Sequence, residues 1–166
     1  RLVGSEMCIR NRGLVYYFSE AFKALGGTVT SEDFPEGNAN FVSYINNAKS
    51  AGAGVIFAPV STNYAQLIIE AAGAQGFEGH LLGSDTWDNN MVIESAKGKS
   101  VNVEITTFYQ EGGAPEFDAG IKEWMNANAD ALTNNGGNDM VSAVTAMGYD
   151  AYFVALEAIK AAGSTD

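Results

Sequence analysis

Two short segments of this chain place hydrogen-bonding and ionisable side chains directly behind apolar runs. Ser61, Thr62 and Asn63 follow Val55-Ile-Phe-Ala-Pro-Val60, and Asp85, Trp87 and Asp88 follow His80-Leu81-Leu82. Each run has the character of a strand buried in a parallel sheet, and open α/β sheets take ligands outside the carboxyl ends of their strands. The chemistry on offer is binding. A carboxylate at a strand end, partly desolvated as Asp85 would be, can hold an ammonium through charge-assisted hydrogen bonds worth about 1.5–3 kcal/mol each. Ser61 and Thr62 supply hydroxyls, and the helix they open directs free backbone N–H groups outward, which suits a carboxylate or another acceptor. Trp87 offers a flat apolar wall or, to a cation, a π face. The same residues also have plain structural readings: helix caps for Ser61 and Thr62, a turn or cap residue for Asp85, and partly buried packing for Trp87.

Catalytic and metal readings find less. His80 is the single histidine and precedes an apolar strand, so neither a metal cluster nor a Ser-His-Asp triad has a second member in view, and His80 reads as structural. Gly98-Lys-Ser100 imitates the end of a phosphate-binding loop, but Ile93 stands where the earlier glycine belongs. Gly52-x-Gly54 lacks its third glycine at Phe57 and precedes a strand where a dinucleotide fingerprint would follow one. No cofactor and no metal are expected.

The elements that must hold the two polar segments alternate. Leu14, Phe18, Ala21, Phe22 and Leu25 recur at helical spacing before Gly26-Gly27, predicting a helix over about 13–25. Residues 28–32 read as a strand, 35–38 as a loop, and Phe41, Ile45 and Ala48 as the stripe of a second helix. Behind the strand at 55–60, Tyr64, Leu67, Ile68 and Ala71 mark a helix starting at 61–63, where Asn63 and Gln66 have capping-box spacing. A short strand at 81–82, a brief helix over 91–96 and an extended stretch over 101–109 follow. Repeated strand–helix units imply right-handed crossovers, a Rossmann-like parallel sheet and helices on both of its faces. After Glu111-Gly-Gly-Ala-Pro115 the alternation ends. One helix is striped by Phe117, Ile121, Trp124 and Met125, and another by Ala151, Tyr152, Ala155, Leu156 and Ile159, with a polar loop over 133–139 between them. Trp124 and Tyr149 read as core residues.

Composition limits the partners. With 166 residues, 46% hydrophobic, the chain has material for a real core, and one globular domain is the starting expectation. A formal charge of −11 and no cluster of Lys and Arg argue against nucleic acid. No apolar run approaches the roughly 20 residues that cross a bilayer, so the expectation is a soluble chain. Residues 1–12 differ from the rest: they hold Arg1, Arg10, Arg12 and the single cysteine, Cys8, and resemble translated adapter read-through at the end of a gene fragment. They are expected to be a non-native leader and are set aside from the fold. The remaining chain has no cysteine, which is compatible with an oxidising compartment.

The order of Ala24-Leu-Gly-Gly-Thr-Val29, Asn40-Phe41 opening a helix, Gly54-Val-Ile-Phe57, Leu82-Gly-Ser-Asp-Thr-Trp-Asp88 and Gly148-Tyr-Asp-Ala151 ahead of Ala155-Leu-Glu-Ala-Ile159 resembles the type I periplasmic binding proteins. Within them it is most similar to the leucine/isoleucine/valine-binding receptors of ABC transporters. The resemblance runs from about residue 13 to the end. It implies two Rossmann-like lobes closing on a small ligand, with residues 13–110 an incomplete second lobe and 111–166 helices of a truncated first lobe. It implies that Asp85 accepts the ligand ammonium and that Trp87 lies near the cleft. Ser61 and Thr62 stand where the family commonly carries an aromatic against the ligand, so the expected ligand is an amino acid or a similar small polar solute. The implied setting is periplasmic or extracellular, with or without a lipid anchor, and the implied partner is a membrane permease. A sensory ligand-binding module of a receptor is the alternative, since it uses the same fold without delivering solute. Lacking the first lobe's sheet, the fragment is expected to expose apolar helix faces around Phe117, Trp124, Tyr152 and Ile159.

Overall fold

The computed structural model describes residues 2–6 and 9–165, and side chains from Arg10 to Thr165. It divides into two compact units, Arg1–Thr106 and Thr107–Asp166. In the first unit the elements run β1 (Leu2–Glu6), α1 (Ile9–Ala24), β2 (Thr30–Phe34), α2 (Val42–Ser50), β3 (Val55–Ala58), α3 (Thr62–Ala74), β4 (His80–Gly83), a 3-10 turn (Asp85–Trp87), α4 (Asn90–Ala96) and β5 (Asn102–Ile105). The strands form one parallel sheet in the order β2-β1-β3-β4-β5, flanked by helices as the alternating pattern requires.

Local chemistry explains the boundaries. Gly26, at φ +85°, lets the chain leave α1 left-handed, while the N–H groups of Gly26 and Gly27 reach back to the carbonyls of Lys23 and Phe22. α1 begins at Ile9, four residues ahead of the expected start, and Leu2–Glu6 pairs with both β2 and β3 although the sequence reading had set that stretch aside. β2 lies two residues later than expected, at 30–34, which buries Phe34 among Phe41 at 4.9 Å and Tyr64 at 5.1 Å, both edge-on. Ile56, Leu81, Ile69, Val60 and Ala65 complete a closed core; each large aliphatic side chain there contributes about 1.5–3 kcal/mol by leaving water.

The second unit holds α5 (Pro115–Ala127), α6 (Ala129–Asn134) and α7 (Ala143–Ala162). Its entry segment is tied down by polar contacts. The buried Asp118 carboxylate accepts the Tyr109 hydroxyl at 2.6 Å and the Gly112 N–H at 2.7 Å, and Glu111 accepts from Lys122 and, at 2.9 Å, from the Val141 N–H. The Lys122 hydrogen bond and the Val141 N–H hold the Glu111 carboxyl below its ordinary value, and Glu111 in turn raises Lys122. Desolvation and the bond to Asp118 push the Tyr109 hydroxyl up.

Two expectations fail in this unit. Trp124, read as core, is 57% exposed, because the stripe of α5 turns Met125 inward and leaves the indole outside; Tyr149 is 46% exposed despite ring contacts with Phe117 and Phe153. α7 itself is apolar over most of its length yet leaves Val144, Met147, Tyr152, Val154 and Ile159 in solvent. Among the described residues, no helix is long and apolar enough to cross a membrane.

Candidate functional site

β3 and β4 are paired in register, Val55 with His80 through Ala58 with Gly83, so the residues leaving both strands emerge side by side at the carboxyl edge. From β3 the chain passes through the buried Pro59 and Val60 to Ser61 and the start of α3; from β4 it enters the 3-10 turn at Asp85. Two side-chain hydrogen bonds join these exits and a third braces the loop after β4. The Thr62 hydroxyl donates to the Thr86 carbonyl at 2.9 Å, and the Thr86 hydroxyl donates to the Val60 carbonyl at 2.6 Å. With its single proton so committed, Thr86 Oγ1 accepts from Ser84 Oγ at 3.1 Å. Thr86 is therefore the residue that holds the two loops together, and sequence reasoning passed over it. A threonine three places past a strand end is an ordinary turn residue until its partner, 26 positions away, is known.

The four expected site residues reach the same edge with different freedom. Ser61 has extended backbone (φ −64°, ψ 159°) and caps α3 through its main chain; its hydroxyl makes no capping bond. α3 starts within the expected 61–63, but the N-cap position falls on Ser61, two residues ahead of Asn63, so Asn63 and Gln66 do not stand at capping-box positions. Thr62 is half-buried and its hydroxyl is spent on Thr86. Asp85 opens the 3-10 turn with its side chain 26% exposed, and the Arg10 guanidinium from the first turn of α1 donates to its Oδ1. Trp87 is 1% exposed and belongs to the core cluster.

Trp87 explains Gly83. A Cβ at Gly83 would lie 2.3 Å from the indole carbons Cγ and Cδ2, so the ring rests directly on the backbone of the last residue of β4. The indole Nε1 is buried without a hydrogen-bond partner among the described residues. His80, at the opposite end of β4, has Nδ1 2.7 Å from Glu104 Oε1 on the neighbouring strand, a cross-strand pair away from the carboxyl edge. Among the described residues no group of three or more His, Cys, Asp or Glu side chains is placed to hold a metal ion. The edge as built combines one carboxylate, one uncommitted hydroxyl, a helix N-terminus and a stapled, Trp-backed loop.

A parallel sheet with polar residues gathered at its carboxyl edge is the layout in which open α/β folds take ligands. The chain belongs to the periplasmic binding protein family, whose sequence profile matches residues 11–166. Among solved structures it is similar to a leucine binding protein, LivK, from Thermotoga maritima, with 26% identity and a TM-score of 0.79 over 99% of this chain and 46% of that one. It shares its fold with LivJ from Streptococcus pneumoniae, a branched-chain amino acid transporter substrate binding protein solved with isoleucine, at 18% identity and a TM-score of 0.75 over 95% of this chain and 44% of that one. The chain thus spans a little under half the length of these proteins. No curated protein sequence matches it.

Proposed function

We propose that the chain is part of the substrate-binding component of an ABC transporter, a protein that captures an amino acid or a similar small polar solute in a cleft between two lobes. The observation that carries this reading is the stapled edge of β3 and β4 with Asp85 at its lip, in a chain of the periplasmic binding protein family. Asp85 accepts the ligand ammonium, Ser61 donates a hydroxyl, and the first N–H groups of α3 face an acceptor such as a carboxylate. Thr62 acts through Thr86 by fixing the loop that carries Asp85. Trp87 backs that loop, and direct contact of its ring with a ligand requires the indole to leave the core.

On this reading residues 13–110 are the second lobe, 111–166 are helices of the first, and 1–12 are a leader foreign to both. The unit boundary at Thr106 supports the division between the lobes and the start of the family match at residue 11 supports setting the leader apart, while the pairing of Leu2–Glu6 with β2 and β3 speaks against a leader foreign to the sheet. The protein works at the periplasmic or extracellular face, anchored by lipid or free, and presents its closed form to a permease. It performs no chemical step and needs no cofactor; closure is a hinge motion driven by ligand contacts to both lobes.

The test is calorimetric titration of the chain completed to both lobes against a panel of amino acids. Binding of at least one, weakened by Asp85→Ala, is the expected result. No binding to any amino acid, with unchanged affinity for another solute in Asp85→Ala, overturns it.

A further inference from the structure

The polar loop between α6 and α7 holds the one Asn-Gly pair of the chain, Asn135-Gly136. Such a pair can modify itself, because a glycine has no Cβ to keep its nitrogen away from the preceding carboxamide. The loop closes around that carboxamide. Asn135 follows α6 at φ −86° and ψ 18°, and its Nδ2 donates to the carbonyls of Asn138 and Met140, both at 2.9 Å. The Met140 N–H in turn donates to Asn138 Oδ1 at 3.0 Å. The nitrogen that would attack is engaged as well. Gly136 N–H donates to the Thr133 carbonyl at 3.1 Å and Gly137 N–H to the Leu132 carbonyl at 2.9 Å, with the two glycines at φ +79° and +77°. Asn135 is half-buried and lines an open groove with Trp124 and Thr145, so water reaches it. Beyond the loop Val141 and Ala143 are buried, so its closure sets how α7 begins.

We propose that Asn135 is a site of spontaneous deamidation that the closed loop guards, and that the reaction, once it has occurred, holds the loop open. The Gly136 nitrogen bonds to Asn135 Cγ, the Cγ–Nδ2 bond breaks, and the Gly136 proton leaves with Nδ2 as ammonia, which gives a succinimide. Water then adds to one of the two imide carbonyls and the C–N bond there breaks, leaving aspartate or, with the main chain rerouted through the side chain, isoaspartate. The first step requires Gly136 N–H to leave the Thr133 carbonyl, so its rate follows the population of the open loop. The product does not fit the closed form. A carboxylate has acceptors and no donor, so the carbonyls of Asn138 and Met140 lose their partner and face a negative charge. Loss of two such hydrogen bonds shifts the opening equilibrium about five- to hundredfold toward the open loop. This inference is independent of what the protein binds.

The experiment incubates the 166-residue chain at neutral pH, native and unfolded in urea, and follows residue 135 by peptide mapping with mass spectrometry and an isoaspartate assay. Amide hydrogen exchange over residues 136–141 is read in parallel for wild type, Asn135→Asp and Asn138→Ala. Asn135 is expected to convert about tenfold or more slowly in the native chain than in the unfolded one. Asn138→Ala, which loosens the loop and leaves the Asn-Gly pair intact, should convert faster than wild type. Asn135→Asp should exchange its 136–141 amides about five- to hundredfold faster, with the amides of α3 unchanged. Equal conversion in native and unfolded chains, or in Asn138→Ala and wild type, shows that the loop guards nothing and overturns the proposal. Exchange as slow in Asn135→Asp as in wild type overturns it too, because the closed loop then accommodates the carboxylate. Should Asn135→Asp fail to fold, the same exchange is read on deamidated wild-type chain, separated by its added negative charge, and decides in the same way.

Discussion

Helices α3 and α7 are both rich in small and aliphatic side chains, and they end up in opposite environments. α3, over Thr62–Ala74, buries Ala65, Ile68, Ile69, Ala71 and Ala72 in the core of the first unit. α7 is longer, Ala143–Ala162, and Ala143 is the residue it buries. An apolar stripe records what a helix is able to cover, and burial follows only where a complementary surface exists. In the first unit the parallel sheet is that surface. The second unit compensates locally, through the buried Asp118 network and the Glu111–Lys122 pair, which order the 107–114 segment by hydrogen bonds.

Four substitutions break or sharpen this contrast. The largest effect is expected for Ile69→Ala, a fully buried side chain whose removal leaves a cavity, at about 2–5 kcal/mol in urea unfolding. A loss under about 1 kcal/mol would mean that the α3 face is not closed. Next is Gly83→Ala, where the new methyl meets the immobile Trp87 ring; overpacking of this kind costs about 1–3 kcal/mol, read as a lower Tm and a changed tryptophan emission.

The third concerns pH. Glu111 has its folded value held below the ordinary 4.5, so its bonds to Lys122 and Val141 contribute stability that is present above 4.5 and is lost as pH falls through the depressed value. Circular dichroism of the chain should show helix loss in that acidic window, and Glu111→Gln should flatten the profile there. A wild-type profile unchanged by Glu111→Gln would remove this network from the account of the second unit. The smallest effect is expected for Ile159→Ala on α7, 43% exposed and so within about 0.5 kcal/mol of wild type. A cost several times larger would show that α7 is covered in solution.

Much of the first unit was legible beforehand because buried parallel strands and their crossover helices leave strong local patterns. The β3 run and the α3 stripe are examples, and so is the Gly26 stop. Short or ambiguous elements were not. α6, six residues of Ala-Asp-Ala-Leu-Thr-Asn, has too few turns to display a period, and α1 extends into residues whose composition looked foreign to the fold. Within the site, the positions of Ser61, Thr62, Asp85 and Trp87 at strand ends were legible, and their states were not. Thr62 spends its hydroxyl, Trp87 is sealed against Gly83, and Asp85 already has a cation.

The amino-acid sequence by itself determined the alternation of elements, the parallel sheet and the edge at which polar residues collect, because these depend on spacing over a few residues. Only the tertiary structure decided that Thr86 staples the two exits, that Arg10 meets Asp85 across 75 positions, and that Trp87 is sealed in the core. Those outcomes depend on which distant surfaces meet, and hydrogen bonds and burial take their energy from that meeting.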